Sequence, residues 1–299
     1  MEIRQLRYFL DIAETEHLTR SAQRLFVTQS TLSHGLRQLE ESLGVVLFDR
    51  LGRGLKLSPA GAAFRSHAQR ALKEVEAGRV ALADLDGLRS GRLAVGAFPT
   101  FLHGIAATVA AFNRAHPGVA VEVRSLRAAA IEQQLLVGEL DLGVGAYPAE
   151  QAEIEAEPLF DERLVLVVGP GHAWARRRRV GLAALDAAPL ALLPRSFSMR
   201  RVLDEAFRAA GVRPRLQVEM EPVESLLSLC RHDSLASIVP ERAARDAPGL
   251  RSIVLHDAPQ LRRVAGLLWR RGASRSAAAQ AFAQRLREAE ATAATTPAA

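Results

Sequence analysis

Residues 19–58 read TRSAQRLFVTQSTLSHGLRQLEESLGVVLFDRLGRGLKLS. Leu32, Leu36, Leu39 and Leu43 fall at i, i+4, i+7 and i+11 and so line one face of a helix. The spacing predicts that this face packs on Ala22, Leu25 and Phe9, the last from an earlier helix over about 3–14 that also carries Leu6, Leu10 and Ala13. The outward face offers Ser30, Thr31, Ser33, His34 and Arg37, with Gln29 at the entry. Those groups hydrogen-bond base edges or phosphates. Thr28 and Ser30 both suit an N-cap, which leaves backbone N–H groups at the helix start free for a phosphate. Beyond Leu47-Phe48, Gly52 and Gly54 allow a tight turn, and Arg50, Arg53 and Lys56 make it basic. Short helix, turn, reading helix and basic hairpin are the layout of a winged helix-turn-helix, whose second helix enters the DNA major groove while arginine in the wing suits a narrow minor groove. A small helical bundle with a solvated polar face has the same local pattern. Six basic and three acidic side chains in this stretch do not separate the two.

Composition narrows the classes. A chain of 299 residues exceeds the usual single-domain size, so two or three folding units are expected. Of 39 basic residues only Lys56 and Lys73 are lysine, and an arginine- and alanine-heavy composition reflects coding bias as readily as a nucleic-acid footprint. The single cysteine, Cys230, excludes an intrachain disulfide framework and fits a reducing cytoplasm. Set among Leu226, Leu227 and Leu229, it reads as a buried structural thiol. Residues 1–20 carry Arg4, Arg7, Glu14 and Glu16 and are no signal peptide, and no apolar run reaches membrane-spanning length. The arginine run 176–179 reads as a solvated surface loop. The eight histidines show no metal-ligand spacing, and neither a GxSxG elbow nor a phosphate-loop motif is present. The expectation is a cytoplasmic, non-enzymatic protein without metal or cofactor.

From Pro59 to Leu88 there is no internal proline. Phe64, Ala68, Ala71, Val75, Gly78, Leu82 and Leu85 alternate in steps of four and three, a heptad seam that argues for pairing of two helices. A dimer would let two recognition helices address two half-sites.

After Ser90-Gly91 strands and helices alternate, which predicts a mostly parallel sheet with helices on both faces. Strands are expected at 93–97, 119–123 and 140–144, with helices at 101–115 and 128–138. A second set begins at 164–168 and continues with 190–193, 198–210, 216–218, 223–231 and 237–239. Residues 262–269 read as a strand returning to the first lobe, with a helix at 275–290 behind it. Two lobes result, one of about 91–162 and 267–291, the other of about 163–266, with a ligand cleft between them. Ligands of open α/β sheets sit beyond the carboxyl ends of strands, often at helix N-termini. Thr100, the Ser196-Phe197-Ser198 turn and Val223 meet that rule, and Leu126 and Arg127 complete the wall. Each serine or threonine alone is equally a simple cap. Together they predict a small, anionic effector.

The run from Ile3 to Ser66 resembles the N-terminal domain of LysR-type transcriptional regulators. The matching residues are Leu6-Arg7-Tyr8-Phe9, Ser21-Ala22, Leu25, Val27-Thr28-Gln29-Ser30-Thr31-Leu32-Ser33, Leu39-Glu40, Leu43-Gly44, Leu47-Phe48-Asp49-Arg50 and Ser58-Pro59-Ala60-Gly61. Residues 36–44 and Pro99-Thr100-Phe101 are similar to the family's cyanate-operon branch, without carrying that ligand across. The family usually has Pro-Ala where this chain has Ser30-Thr31, and a longer polar residue at Gly35; both departures bear on which operator is read. The resemblance implies a mixed architecture: a winged helix-turn-helix head at 1–58, a dimerising linker helix at 59–90, and an effector domain over 91–299 similar to periplasmic binding proteins. It implies a dimer of dimers on dyad-symmetric promoter DNA, a small-molecule effector that changes DNA bend, and leaves RNA polymerase open as a further partner. Peroxide-sensing members need a cysteine pair, which one cysteine cannot supply. Two other readings stay open: a solute-binding receptor, opposed by the N-terminal unit, and an enzyme using the cleft, opposed by the lack of any acid–base or nucleophile cluster.

Overall fold

The structure is a computed structural model that describes residues 1–51, 54–83, 91–232, 234–245 and 247–295. Helices α1 (Ile3–Thr15), α2 (Leu18–Arg24) and α3 (Gln29–Leu43) form the head, closed by the antiparallel hairpin β1 (Phe48–Leu51) and β2 (Gly54–Leu57), with Leu51 opposite Gly54. Leu32, Leu36 and Leu39 are buried with Phe9, Ile12 and Ala22, and Leu25 and Leu43 pack at the margin, as the leucine spacing predicts. Thr28 caps α3: its Oγ1 accepts the Thr31 N–H at 3.2 Å. Gly44, at φ +68°, ends the helix in the left-handed conformation that favours glycine.

Helix α4 (Pro59–Ala83) starts inside this head. The Phe64 ring stands 5.3 Å from that of Phe9, and Ala68 is 1% exposed. Phe64 and Ala68 were expected on the dimer seam; Ala68 is instead buried in the head's own core and Phe64, half-buried, packs at its margin, because α4 crosses α1 before it leaves the domain. Ala71 and Val75 remain exposed. Leu85 and the side chain of Leu82 lie outside the described residues.

Lobe I begins with β3 (Gly91–Ala97), a 3-10 turn (Pro99–Phe101), α5 (Leu102–Ala115), β4 (Val119–Ser125), α6 (Ala128–Leu136) and β5 (Leu142–Ala146). The long strand β6 (Ile154–Val168) leads into lobe II, built from β7 (Arg179–Val180), β8 (Pro189–Leu192), α7 (Ser198–Ala209), β9 (Arg215–Glu219), α8 (Val223–His232), β10 (Ala236–Pro240), α9 (Glu241–Arg245) and β11 (Arg251–Leu255). Strand β12 (Arg262–Arg270) and helix α10 (Ala277–Thr295) return to lobe I, where Phe282 meets Phe112 edge-on at 5.3 Å.

Strand order is β4-β3-β5-β12-β6 in lobe I and continues through β10-β8-β9 in lobe II. The first part of β6 pairs with β12, from Ile154↔Arg270 to Arg163↔Arg262; the second pairs with β10 and β11. Two expectations are corrected here. The segment expected as a separate strand at 164–168 is the end of a strand that starts ten residues earlier in sequence, at Ile154. The sheets are mixed: β3 runs parallel to β4 and β5, and β8 to β9 and β10, while β12 and β6 run antiparallel to each other. A chain that leaves one lobe and comes back must run in opposite senses at the joint. The returning strand β12 begins at Arg262, beside Leu261, whose carbonyl accepts the Leu164 N–H at 2.9 Å. Strands β7 and β11 and helix α9 were not anticipated, and Arg179 of the arginine run lies in β7 rather than a loop.

Candidate nucleic-acid interface and effector cleft

On α3, Gln29, Ser30, Thr31, His34 and Arg37 are exposed and Ser33 is half-buried, so the expected reading face is presented together. Thr28 Oγ1 lies 2.9 Å from Ser30 Oγ and 2.8 Å from Thr31 Oγ1, which concentrates three hydroxyls at the helix start. Thr19 Oγ1 donates to Gln29 Oε1 at 3.3 Å, steering the amide from the first turn of α2. An amide so oriented can read adenine, and Arg37 a guanine or a phosphate. Arg24, by contrast, is tied back to Asp11 and Glu14. Gly35 is corrected as a candidate for operator choice: it is buried against Tyr8 and faces away from the reading side. Arg53 and the side chain of Arg50 lie outside the described residues; Lys56 of the wing is exposed.

In lobe I, Thr100 follows β3 and Arg127 caps α6, and the Leu126 N–H bonds the Ala97 carbonyl at 2.9 Å. These positions therefore share the carboxyl edge of lobe I. Across from them, Phe197 caps α7 without a side-chain cap bond. The structure joins the two edges: the Arg127 guanidinium lies 5.0 Å over the Phe197 ring and donates to both carboxylate oxygens of Glu221 at 2.6 Å. Arg201 of α7 pairs with Glu150 of lobe I as a second tie. Ser196 is exposed and Ser198 half-buried at the same turn. Val223 is corrected: at 3% exposure its side chain belongs to the lobe II core, leaving only backbone toward the cleft. Leu126 packs partly on the α6 side of lobe I.

Sequence reasoning missed the charges behind this edge. Arg263 of β12 donates to Thr100 Oγ1 at 2.9 Å, pairs with Glu162 of β6 and lies 4.4 Å over Phe98. Burial pushes the Arg263 guanidinium below its ordinary value, against the raising effect of Glu162. Arg242 of α9 sits 4.0 Å over Phe160 and bonds Glu290 of α10, tying lobe II to lobe I. Burial opposes its charge, yet Glu290 and Glu162 raise it overall. No local motif marks these residues, because each pair is brought together by elements far apart in the chain.

Among the described residues no group of three or more His, Cys, Asp or Glu side chains could hold a metal ion, and no helix is long and apolar enough to cross a membrane. Cys230 is buried in α8.

A winged helix-turn-helix head joined by a helix to a two-lobed α/β sensor defines a ligand-responsive DNA-binding protein. Residues 3–62 match the bacterial regulatory helix-turn-helix protein, lysR family, and residues 86–291 match the LysR substrate binding domain. The chain belongs to the LysR family of DNA-binding transcriptional regulators with an effector-binding domain. It is 34% identical over 278 residues to a probable hydrogen peroxide-inducible genes activator of Mycobacterium avium, covering 90% of this chain and 88% of that one. To the transcriptional dual regulator GltC of Bacillus subtilis it is 28% identical over 272 residues, 90% of each. Among solved structures, full-length CbnR complexed with its target DNA aligns with a TM-score of 0.69 at 26% identity, covering 97% of this chain and 100% of that one.

Proposed function

We propose that this chain binds promoter DNA through Thr28, Gln29, Ser30, Thr31, Ser33, His34 and Arg37, with Arg50 and Arg53 of the wing on the backbone or minor groove. Residues 1–58 act as the head, 59–90 as the linker and 91–299 as the sensor. The effector is a small acid held between the lobes, and it works without cofactor or catalysis, in the cytoplasm where promoter DNA is. Thr100, Arg127, Ser196, Phe197 and Ser198 form its walls, with the backbone at Leu126 and Val223.

The observation that carries the reading is the Arg127–Glu221 pair spanning the two lobes, in which Arg127 Nη2 donates to both carboxylate oxygens. A guanidinium is a strong, permanently charged partner for a carboxylate, and the other Arg127 nitrogens make no bond to Glu221. A ligand carboxylate can take the place of Glu221, and Phe197 beneath the guanidinium gives the ligand an apolar wall. Exchange of one carboxylate for another changes how the lobes are tied, which is the differential contact a switch needs.

The test is a thermal-shift and calorimetry panel of small carboxylic acids on the wild type, Arg127→Ala, and Thr100→Ala with Ser196→Ala. Binding by the wild type that is lost in Arg127→Ala supports the reading. Unchanged affinity in all variants rejects this placement.

Self-association is proposed to use the exposed Ala71 and Val75 face of α4 as a dimer that pairs again on DNA. The single cysteine, Cys230, is buried, and one cysteine supplies no intrachain pair, which argues against a disulfide-based response.

A further inference from the structure

The middle of α4 is fastened to lobe I by two ion pairs of opposite polarity. Lys73 Nζ lies 2.9 Å from Asp141 Oδ1, and the neighbouring Glu74 accepts from Arg270 at 2.7 Å. Asp141 is itself fixed to the sheet, its Oδ2 accepting the Ala94 N–H at 2.8 Å. The stem of Lys73 runs over Gly138, where any Cβ would come within 3.1 Å of Lys73 Cδ and where φ is +75°. A small cavity beside these residues, lined also by Ser274 and Arg275, leaves the joint open to water. Reversed polarity on adjacent residues defines one register of helix on lobe: sliding or turning α4 sets like charges against each other.

The joint sits at the amino edge of the parallel strands, just before β5, whereas Thr100 and Arg127 lie at their carboxyl edge. One strand reaches both. Strand β12 carries Arg263, bonded to Thr100, near one end and Arg270, bonded to Glu74, at the other.

We propose that Lys73–Asp141 and Glu74–Arg270 form a latch that sets the angle of the DNA head on its sensor, and that β12 transmits the state of the cleft to it. The transmission rests on the cleft reading given above; the latch does not. Partly exposed pairs are individually weak, which suits a joint that must release. Strand displacement of well under a turn suffices, because packed interfaces switch between discrete arrangements.

The experiment uses the full chain and a duplex it selects from a random-sequence pool. Amide exchange is followed in peptides spanning 70–79, and DNA bend by end-to-end energy transfer. Glu74→Arg and Arg270→Glu should each speed exchange in that stretch of α4 several-fold and shift the bend, and the Glu74→Arg/Arg270→Glu swap should restore both. Singles indistinguishable from wild type, or a swap no better than the singles, overturn the latch. Lys73→Glu, which sets a carboxylate against Asp141 without altering the lobe I sheet, repeats the test if Arg270→Glu does not fold. Thr100→Ala should change α4 exchange in the wild type and not in Glu74→Arg. Equal changes in both backgrounds overturn transmission by β12 while leaving the latch standing.

Discussion

Gly35 of α3 faces the Tyr8 ring of α1 so closely that a methyl group on Gly35 would stand 2.8 Å from Tyr8 Cδ2. Tyr8 is 6% exposed and has little room to withdraw. Glycine inside a helix ordinarily costs about 1 kcal/mol against alanine. Here the aromatic ring fills the space that a side chain would take.

The sign of one substitution follows. Gly35→Ala should destabilise the head by about 1–3 kcal/mol through overpacking, against the propensity gain. In a Tyr8→Leu background the same change should be neutral or stabilising. Thermal melts of the four proteins check this; stabilisation by Gly35→Ala alone would show that the contact yields.

Arg37 and Ser33 should matter to DNA and not to folding. Arg37→Ala should weaken binding to the selected duplex by about 1–3 kcal/mol, roughly 5- to 150-fold, if it reads a base edge. Gel-shift titration with a matched melting curve checks it. Wild-type affinity in both Arg37→Ala and Ser33→Ala would remove them from the interface.

Two halves of the linker helix should respond differently. Phe64→Ala removes a half-buried ring packed on Phe9 and should cost the head about 2–3 kcal/mol, below the range for a fully buried ring. Val75→Glu alters an exposed position and should leave the helical content unchanged while lowering the association state in sedimentation. Unaltered sedimentation would move the self-association surface elsewhere.

Acid should loosen lobe I through Glu157. Burial pushes this carboxyl up, but Arg287 and Arg275 outweigh it, and the folded value lies below the ordinary one. The unfolded chain therefore binds the proton more readily, and stability rises with pH across that interval. The contribution is full above about pH 4.5 and is lost as pH falls through the folded value. Glu157→Gln should flatten the acid limb of the stability curve; an unchanged limb would assign the loss to other carboxyls.

The head was legible because its signals are local. Leucine spacing, the Thr28 cap and the glycines of the wing act within a few residues, and they predict the buried and exposed faces of α3. Short alternating segments likewise disclosed most strands of the two lobes. Strand β6 was half missed, since 154–163 mix charged residues with a proline and look unlike a buried strand. Those charges are satisfied by Arg263, Arg275 and Arg287, more than a hundred residues away in the chain.

What sequence alone determined is therefore the identity and facing of short elements, because helical and strand periodicity is a property of neighbours. What only the tertiary structure decided is which distant charges meet. Arg127 with Glu221, Arg263 with Thr100 and Lys73 with Asp141 carry no mark in their surroundings. Coulomb and hydrogen-bond contacts act over a few ångströms of space, and the path of the chain through two lobes, not its order, brings those partners within reach.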